Sequence, residues 1–338
     1  MKQSTLGIDI PKRGMPVTII TGFLGSGKTT LLNHILQNKQ NLKVAVLVNE
    51  FGDINIDSQL LVAVEEDMVE LSNGCICCTI NDNLAEAVYN ILERSDRVDY
   101  LIVETTGVAD PLPIALTFLG TELKYQTHLD AILTLVDAEQ FSQDHFDSEA
   151  ALQQITYGDI IILNKTDLVS DKQLEELEQF INQIKPKARI LRSTYGEVPL
   201  PLILDVSAHE LEATLAKSAP KEHHHDHHDH DHDHHHHHSD HLANDGFIAV
   251  SFQSDRALDL DKFQIFLDRQ MPSDVFRAKG VLWFHGIPNR YIFQLSGKRY
   301  ELRHDDRDLP NQNQLVFIGR NLSQEQLTKN LQACLYAN

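Results

Sequence analysis

The 338-residue sequence predicts an α/β fold, with a doubly wound, mostly parallel sheet covered by helices and then a smaller α+β domain. Three observations carry this expectation. From Met15 to about Leu204, short β-branched runs alternate with stretches whose apolar residues recur at helical spacing. Between Lys221 and His241 the composition breaks: 13 of the 19 histidines fall there, interleaved with Asp226, Asp229, Asp231, Asp233 and Asp240, and nothing in that tract can build a core. Past the tract, apolar strands resume between two helical segments.

In chain order, the first half supplies strand candidates at Val17 to Thr21, Lys43 to Val48, Met68 to Leu71, Tyr100 to Val103, Ala131 to Val136 and Asp159 to Leu163. Thr29 to Gln37, Asn83 to Arg94 and Lys172 to Ile184 carry the periodicity of crossover helices, which parallel strands need. The second half offers strands at Phe247 to Phe252, Gly280 to Phe284, Tyr291 to Leu295 and Gln314 to Ile318. A helix is expected over Leu260 to Arg269, and another from about Gln324, where Ser323 and Gln326 stand at capping-box spacing. No internal repeat is present.

A formal charge of -20 argues against binding to a nucleic-acid backbone, which calls for a basic face. No apolar run approaches the roughly 18 to 20 residues needed to span a bilayer, and Met1 to Pro16 lacks the apolar core of a signal peptide, so the expected compartment is the cytoplasm. Three of the four cysteines lie in Cys75-Ile76-Cys77-Cys78, a poor disulfide framework and a pattern more typical of a metal or redox site.

Gly22-Phe-Leu-Gly-Ser-Gly-Lys28-Thr29 fits G-x-x-x-x-G-K-[ST], the P-loop. Gly22, Gly25, Ser26 and Gly27 let backbone amides curl around phosphates, Lys28 meets the β and γ oxygens, and the Thr29 hydroxyl is placed to hold Mg²⁺, with Thr30 beside it. The motif follows an apolar strand and opens a helix, whose N-terminus adds partial positive charge.

Asn164-Lys165-Thr166-Asp167 ends a buried strand, where α/β sheets bind ligands. Asp167 can accept from the N1–H and 2-amino group of guanine, which adenine lacks, while Asn164 contacts the other edge and Lys165 lines the ring. With the P-loop, this selects GTP over ATP. Glu104, closing Leu101-Ile-Val-Glu104, is the candidate Mg²⁺-organising acid, with Gly107 near the γ-phosphate. Lys28, Thr29 and Glu104 thus form the expected catalytic set. No arginine finger or water-activating residue is evident, and slow intrinsic hydrolysis follows.

Cys75, Cys77 and Cys78 offer three thiolates within four positions, a density suited to Zn²⁺, Cu(I) or Co²⁺. Three local ligands leave a coordination position for water, a carboxylate or a recipient protein. Buried small hydrophobes or a redox pair are the plainer readings of the same residues. Glu50 and Asp53, in Asn49-Glu50-Phe51-Gly52-Asp53, are candidate metal-facing acids on a switch loop. The histidine tract reads as a metal-collecting antenna or as a hydrophilic spacer.

These segments together resemble the CobW-like group of metal-handling P-loop GTPases, whose wider family includes the nickel-enzyme accessory GTPases. The likeness rests on Thr21 to Thr30, Asn49-Glu-Phe-Gly52, Asn73-Gly-Cys-Ile-Cys-Cys78, Glu104-Thr-Thr-Gly107 with Ala109-Asp-Pro111, and Asn164-Lys-Thr-Asp167. It continues past the tract in Arg277-Ala-Lys-Gly-Val-Leu-Trp283 and Val316-Phe-Ile-Gly319. The family pattern carries glutamate where Asp53 stands. The resemblance implies a GTPase that binds Mg²⁺–GTP, cycles to GDP, and loads a transition metal, commonly Zn²⁺ and in some members Co²⁺, onto a client metalloprotein. A metal store built on the tract and a cobalt-handling factor in cobalamin synthesis are the alternatives, and homo-oligomerisation is left open. The expected organisation is a tail at 1–14, a P-loop GTPase domain at 15–213, a His/Asp-rich disordered linker at 214–244 and a CobW-like α+β domain at 245–338.

Overall fold

The computed structural model describes residues 14–38, 42–49, 68–71, 80–93, 98–120, 122–141, 148–205, 247–305 and 310–336. Glu50, Asp53, Cys75, Cys77, Cys78 and the histidine tract lie outside them. The described chain falls into two compact units, one running to Asp205 and including Ser296–Arg299, the other made of the remaining residues from Phe247 onward. Among the described residues no helix is long and apolar enough to cross a membrane.

The first unit is a seven-stranded sheet of order β3-β2-β4-β1-β5-β6-β7, with β1 Met15–Gly22, β2 Val44–Asn49, β3 Met68–Leu71, β4 Tyr100–Glu104, β5 Thr127–Asp137, β6 Ile160–Asn164 and β7 Ile190–Arg192. Every pairing is parallel, so the sheet is wholly rather than mostly so. Both faces are covered, which is why β1, β4, β5 and β6 are buried throughout and why β4 and β6 read as near-continuous apolar runs. The crossover helices are α1 Lys28–Asn38, α2 Ile80–Leu92, α3 Pro111–Gly120, α4 Glu149–Tyr157 and α5 Asp171–Ile184, followed by the single turn α6 Leu200–Ile203. α5 shows how sequence sets a helix. Ser170 and Gln173 close a reciprocal capping box, and Leu174, Leu177 and Ile181, at helical spacing, bury one stripe.

After β1 the chain winds to one side through β2 and β3, and after β4 it continues on the other through β5, β6 and β7. β1 therefore sits at the topological switch point, where the loops beyond the carboxyl ends of the strands leave a crevice.

The second unit is a five-stranded sheet of order β11-β10-β9-β12-β8, with β8 Phe247–Ser254, β9 Val275–Trp283, β10 Arg290–Ser296, β11 Arg299–Asp305 and β12 Asn313–Arg320. β12 pairs antiparallel with both β8 and β9. Helices α7 Leu260–Ile265 and α8 Gln324–Ala333 complete it. The helix expected over Leu260 to Arg269 changes at Phe266 to a π turn, in which Met271 N–H reaches Phe266 O at 2.7 Å. Phe263, Phe266, Phe284, Phe293 and Phe317 form a ring-on-ring core, with edge contacts such as Phe263–Phe293 at 5.7 Å between centroids.

Candidate functional site

The P-loop occupies the switch point. Gly22, Gly25 and Gly27 adopt φ of 142°, 76° and 100°, conformations L side chains rarely take, so the motif's glycines match what the turn demands. A Cβ at Gly27 would also collide with the Asn164 amide nitrogen. Lys28 opens α1, is buried, and its Nζ lies 3.3 Å from the Phe23 carbonyl, curled over the loop. Ser26 is buried, and its Oγ has no hydrogen-bond partner among the described residues. An orphaned hydroxyl in a ring of backbone amides fits a loop built to close on phosphate. Thr30 is exposed on the first turn of α1.

Glu104 ends β4, adjacent to β1, with its side chain 2% exposed. Its Oε1 accepts from Thr29 Oγ1 at 3.1 Å, so two groups separated by 75 residues face one point at the mouth of the cradle. A hydroxyl and a buried carboxylate beside a phosphate loop form a donor set of hard oxygens, which suits Mg²⁺. Gly107 follows on the same loop, where a Cβ would press on the backbone of Leu24, so only glycine allows the loop to lie against the P-loop. Gln154 of α4 holds that approach by donating to the carbonyls of Gly107 at 3.2 Å and Ala109 at 3.0 Å.

Asn164 closes β6 on the other flank. Its Nδ2 donates to Ser26 O at 3.0 Å, and its Oδ1 accepts from Gly196 N–H at 2.9 Å. The side chain expected to meet the base edge therefore ties the P-loop to the loop after β7, a structural role the sequence did not suggest. Lys165, in the left-handed region at φ 61°, places Nζ 2.5 Å from Asp137 Oδ2 at the end of β5. That ion pair fixes the lysine's stem beside the P-loop. Asp167 lies in the short 3-10 turn Thr166–Leu168 with its carboxylate exposed. A shallow open cleft beside the cradle is lined by Phe23, Leu24, Asp137, Phe141 and Gln154.

Three contributors escaped the sequence reading: Asp137, Gln154 and the Ser193–Gly196 loop. The first had a visible signal, an acid closing an apolar strand in Leu135-Val136-Asp137. The loop's signal was weaker, Gly196 after a run of only three strand residues.

The CobW/HypB/UreG nucleotide-binding domain model matches residues 16–192, and the cobalamin synthesis protein CobW C-terminal domain model matches 247–335. The zinc chaperone YjiA of Escherichia coli is 32% identical over 92% of this chain and 96% of its own. The zinc chaperone CobW of Pseudomonas aeruginosa is 34% identical over 95% of this chain and 92% of its own. The zinc-regulated GTPase metalloprotein activator 1 of Dictyostelium discoideum is 39% identical over 59% of this chain and 50% of its own. With both of its folded units matched by that family's two models, the chain belongs to the CobW/HypB/UreG family of P-loop proteins.

Proposed function

We propose that this protein is a cytoplasmic GTP-hydrolysing metallochaperone that takes up a transition metal, Zn²⁺ by preference, and hands it to a client metalloprotein. The observation that carries the nucleotide half is the Thr29–Glu104 contact at the mouth of the P-loop cradle. In this reading Gly22 to Thr30 hold the phosphates, Thr29 and Glu104 hold Mg²⁺, Gly107 meets the γ-phosphate edge, and Asp167 selects guanine. When bound, Mg²⁺ neutralises charge on the β- and γ-phosphate oxygens. Lys28 pairs with the same oxygens, and Glu104 orients the Thr29 hydroxyl.

The metal half rests on Cys75, Cys77 and Cys78, with Glu50 and Asp53 as candidate oxygen ligands, and on relatives named as zinc chaperones. Sheet register supports coupling of the two halves. Val48 of β2 pairs on one side with Glu104 of β4 and on the other with Glu70 of β3. Cys75 follows four residues after β3 ends at Leu71. The chain that enters the cysteine motif therefore leaves the sheet at its carboxyl-terminal edge, where Glu104 also ends β4. GTP binding that orders this edge strengthens metal binding, and by reciprocity metal strengthens GTP binding by the same factor, about 5- to 150-fold. The test is a Zn²⁺ titration of the protein with Mg²⁺–GTP, with GDP and without nucleotide; three equal affinities overturn the coupling.

A further inference from the structure

The opposite, amino-terminal end of the parallel sheet carries a second constellation that the nucleotide chemistry does not use. His128, Asp130 and Asp205 are 5%, 7% and 4% exposed. One donor atom from each lies within 4.8 Å of the other two, and His128 Nε2 is 3.4 Å from Asp205 Oδ2. His128 and Asp130 stand two residues apart near the start of β5. Val17 pairs with Leu129 and Thr18 with Ala131, which makes Asp130 the extra residue of a β-bulge, a device that re-aims a side chain. Asp205 arrives from α6, its backbone N–H held at 3.2 Å by the Tyr100 hydroxyl. The same hydroxyl donates to Asp130 Oδ2 and lies 2.7 Å from Thr18 Oγ1.

We propose that His128, Asp130 and Asp205 form a buried site for a divalent metal ion of the Zn²⁺ class, separate from the cysteine motif and from the nucleotide site. One imidazole and two carboxylates suit Zn²⁺ or Co²⁺; Cu(I) prefers sulfur, and Mg²⁺ prefers oxygen throughout. Bonds of about 2.0–2.2 Å in a tetrahedral shell set ligand atoms roughly 3.3–3.5 Å apart, the separation His128 and Asp205 already have. The remaining pairs lie within 4.8 Å, so none needs to close by more than about 1.5 Å, within the reach of a carboxylate rotation. Tyr100 supplies the outer-shell bond that ligating carboxylates commonly receive. From Asp130 to Asp137 along β5 is about 23 Å at roughly 3.3 Å per residue, so an ion here is out of contact with the nucleotide cradle. Its role is to pin the end of the first unit, at Asp205, to the sheet. Burial makes release slow, which fits a resident ion rather than cargo.

The test uses the full-length chain with Cys75, Cys77 and Cys78 replaced by serine, loaded with Zn²⁺, passed over a chelating resin and assayed for retained metal. His128→Gln and Asp205→Asn should each lower the retained count by one Zn²⁺ per chain while leaving GTP affinity unchanged. Zn²⁺ should also raise the Tm of the serine background by about 5 °C, and this shift should vanish in either variant. Co²⁺ loading should give d–d absorption without a sulfur-to-metal charge-transfer band. Where His128→Gln fails to fold, Asp205→Asn alone decides. An unchanged count in the folded variants, with Zn²⁺ shifting their Tm as in the background, overturns the proposal and leaves a buried His–Asp ion pair. The cysteine background keeps this outcome distinguishable from failure of the GTP–metal coupling, which the unsubstituted protein reports.

Discussion

Replacing Asn164 by alanine separates two roles that the Asn164–Asp167 tetrapeptide combines. The Asn164 amide donates to Ser26 O and accepts from Gly196 N–H, both in buried surroundings. Alanine leaves both backbone groups unpaired, at about 1–3 kcal/mol each, so the expected loss is about 2–6 kcal/mol. Against a typical total of about 5–15 kcal/mol this is a large share. Asn164→Asp keeps the acceptor for Gly196 but buries a carboxylate oxygen against the Ser26 carbonyl, so it should cost at least as much as alanine. Asp167→Ala, on an exposed turn, should change stability by no more than about 0.5 kcal/mol. It should nevertheless erode GTP-over-ATP discrimination by about 100-fold or more, since guanine's N1–H and 2-amino group lose their acceptor. Equilibrium urea denaturation and fluorescent-nucleotide titration measure the two quantities on each variant. An Asn164→Ala protein with unaltered stability but altered base preference refutes the positioning role. Loss of stability with GTP-over-ATP preference retained supports it.

Lys28→Ala should abolish measurable GTP binding while weak metal uptake by the histidine tract persists, as isothermal titration would show. Glu104→Gln should retain GTP binding, slow phosphate release in a hydrolysis assay by about 100-fold, and make Zn²⁺ affinity insensitive to GTP. Ser170→Ala breaks the capping box of α5 and should cost about 1 kcal/mol in urea denaturation without altering nucleotide affinity. Burial pushes the Cys334 thiol up to about 11 from 9.0, so it should resist iodoacetamide at pH 8 in the folded protein while accessible thiols react. Because the folded-state value is the raised one, the native protein binds the extra proton between pH 9 and 11. Stability therefore falls across that window, and Cys334→Ala should flatten the fall.

What was legible in the sequence is what is local along the chain. The P-loop's glycines serve a backbone path set within a few residues, and the cap of α8, where Ser323 accepts from Gln326 N–H, spans three positions, so residue type and spacing suffice. β5 was read too short, as Ala131 to Val136, because Thr127, His128 and Asp130 interrupt its apolar run. All three are nonetheless buried, with Thr127 bonded to the Leu123 carbonyl, Asp130 to the Tyr100 hydroxyl, and His128 beside Asp205. β7 was missed because three residues do not establish a period, and β11, intermediate in burial along most of its length, lacks the apolar signature. Asp137, Gln154 and Gly196 escaped for another reason. Their contribution lies in contacts across 28, 47 and 32 positions, which no motif spacing encodes.

The same distinction explains why the P-loop and the Asn164–Asp167 motif, each a modest signal alone, are informative as a pair. The Asn164 amide and the Gly27 Cα occupy adjoining space, so any side chain at Gly27 would displace the amide, and any loss of the amide would free the loop. The two motifs are halves of one rigid object, held by β1, β5 and β6 as neighbours in the sheet. On the other flank Glu104 and Gly107 join that object through Thr29 and Leu24. β2 then carries the register on to β3, after which the cysteine motif begins. The nucleotide cradle and the strand that precedes the cysteines therefore stand at the same carboxyl-terminal end of the sheet.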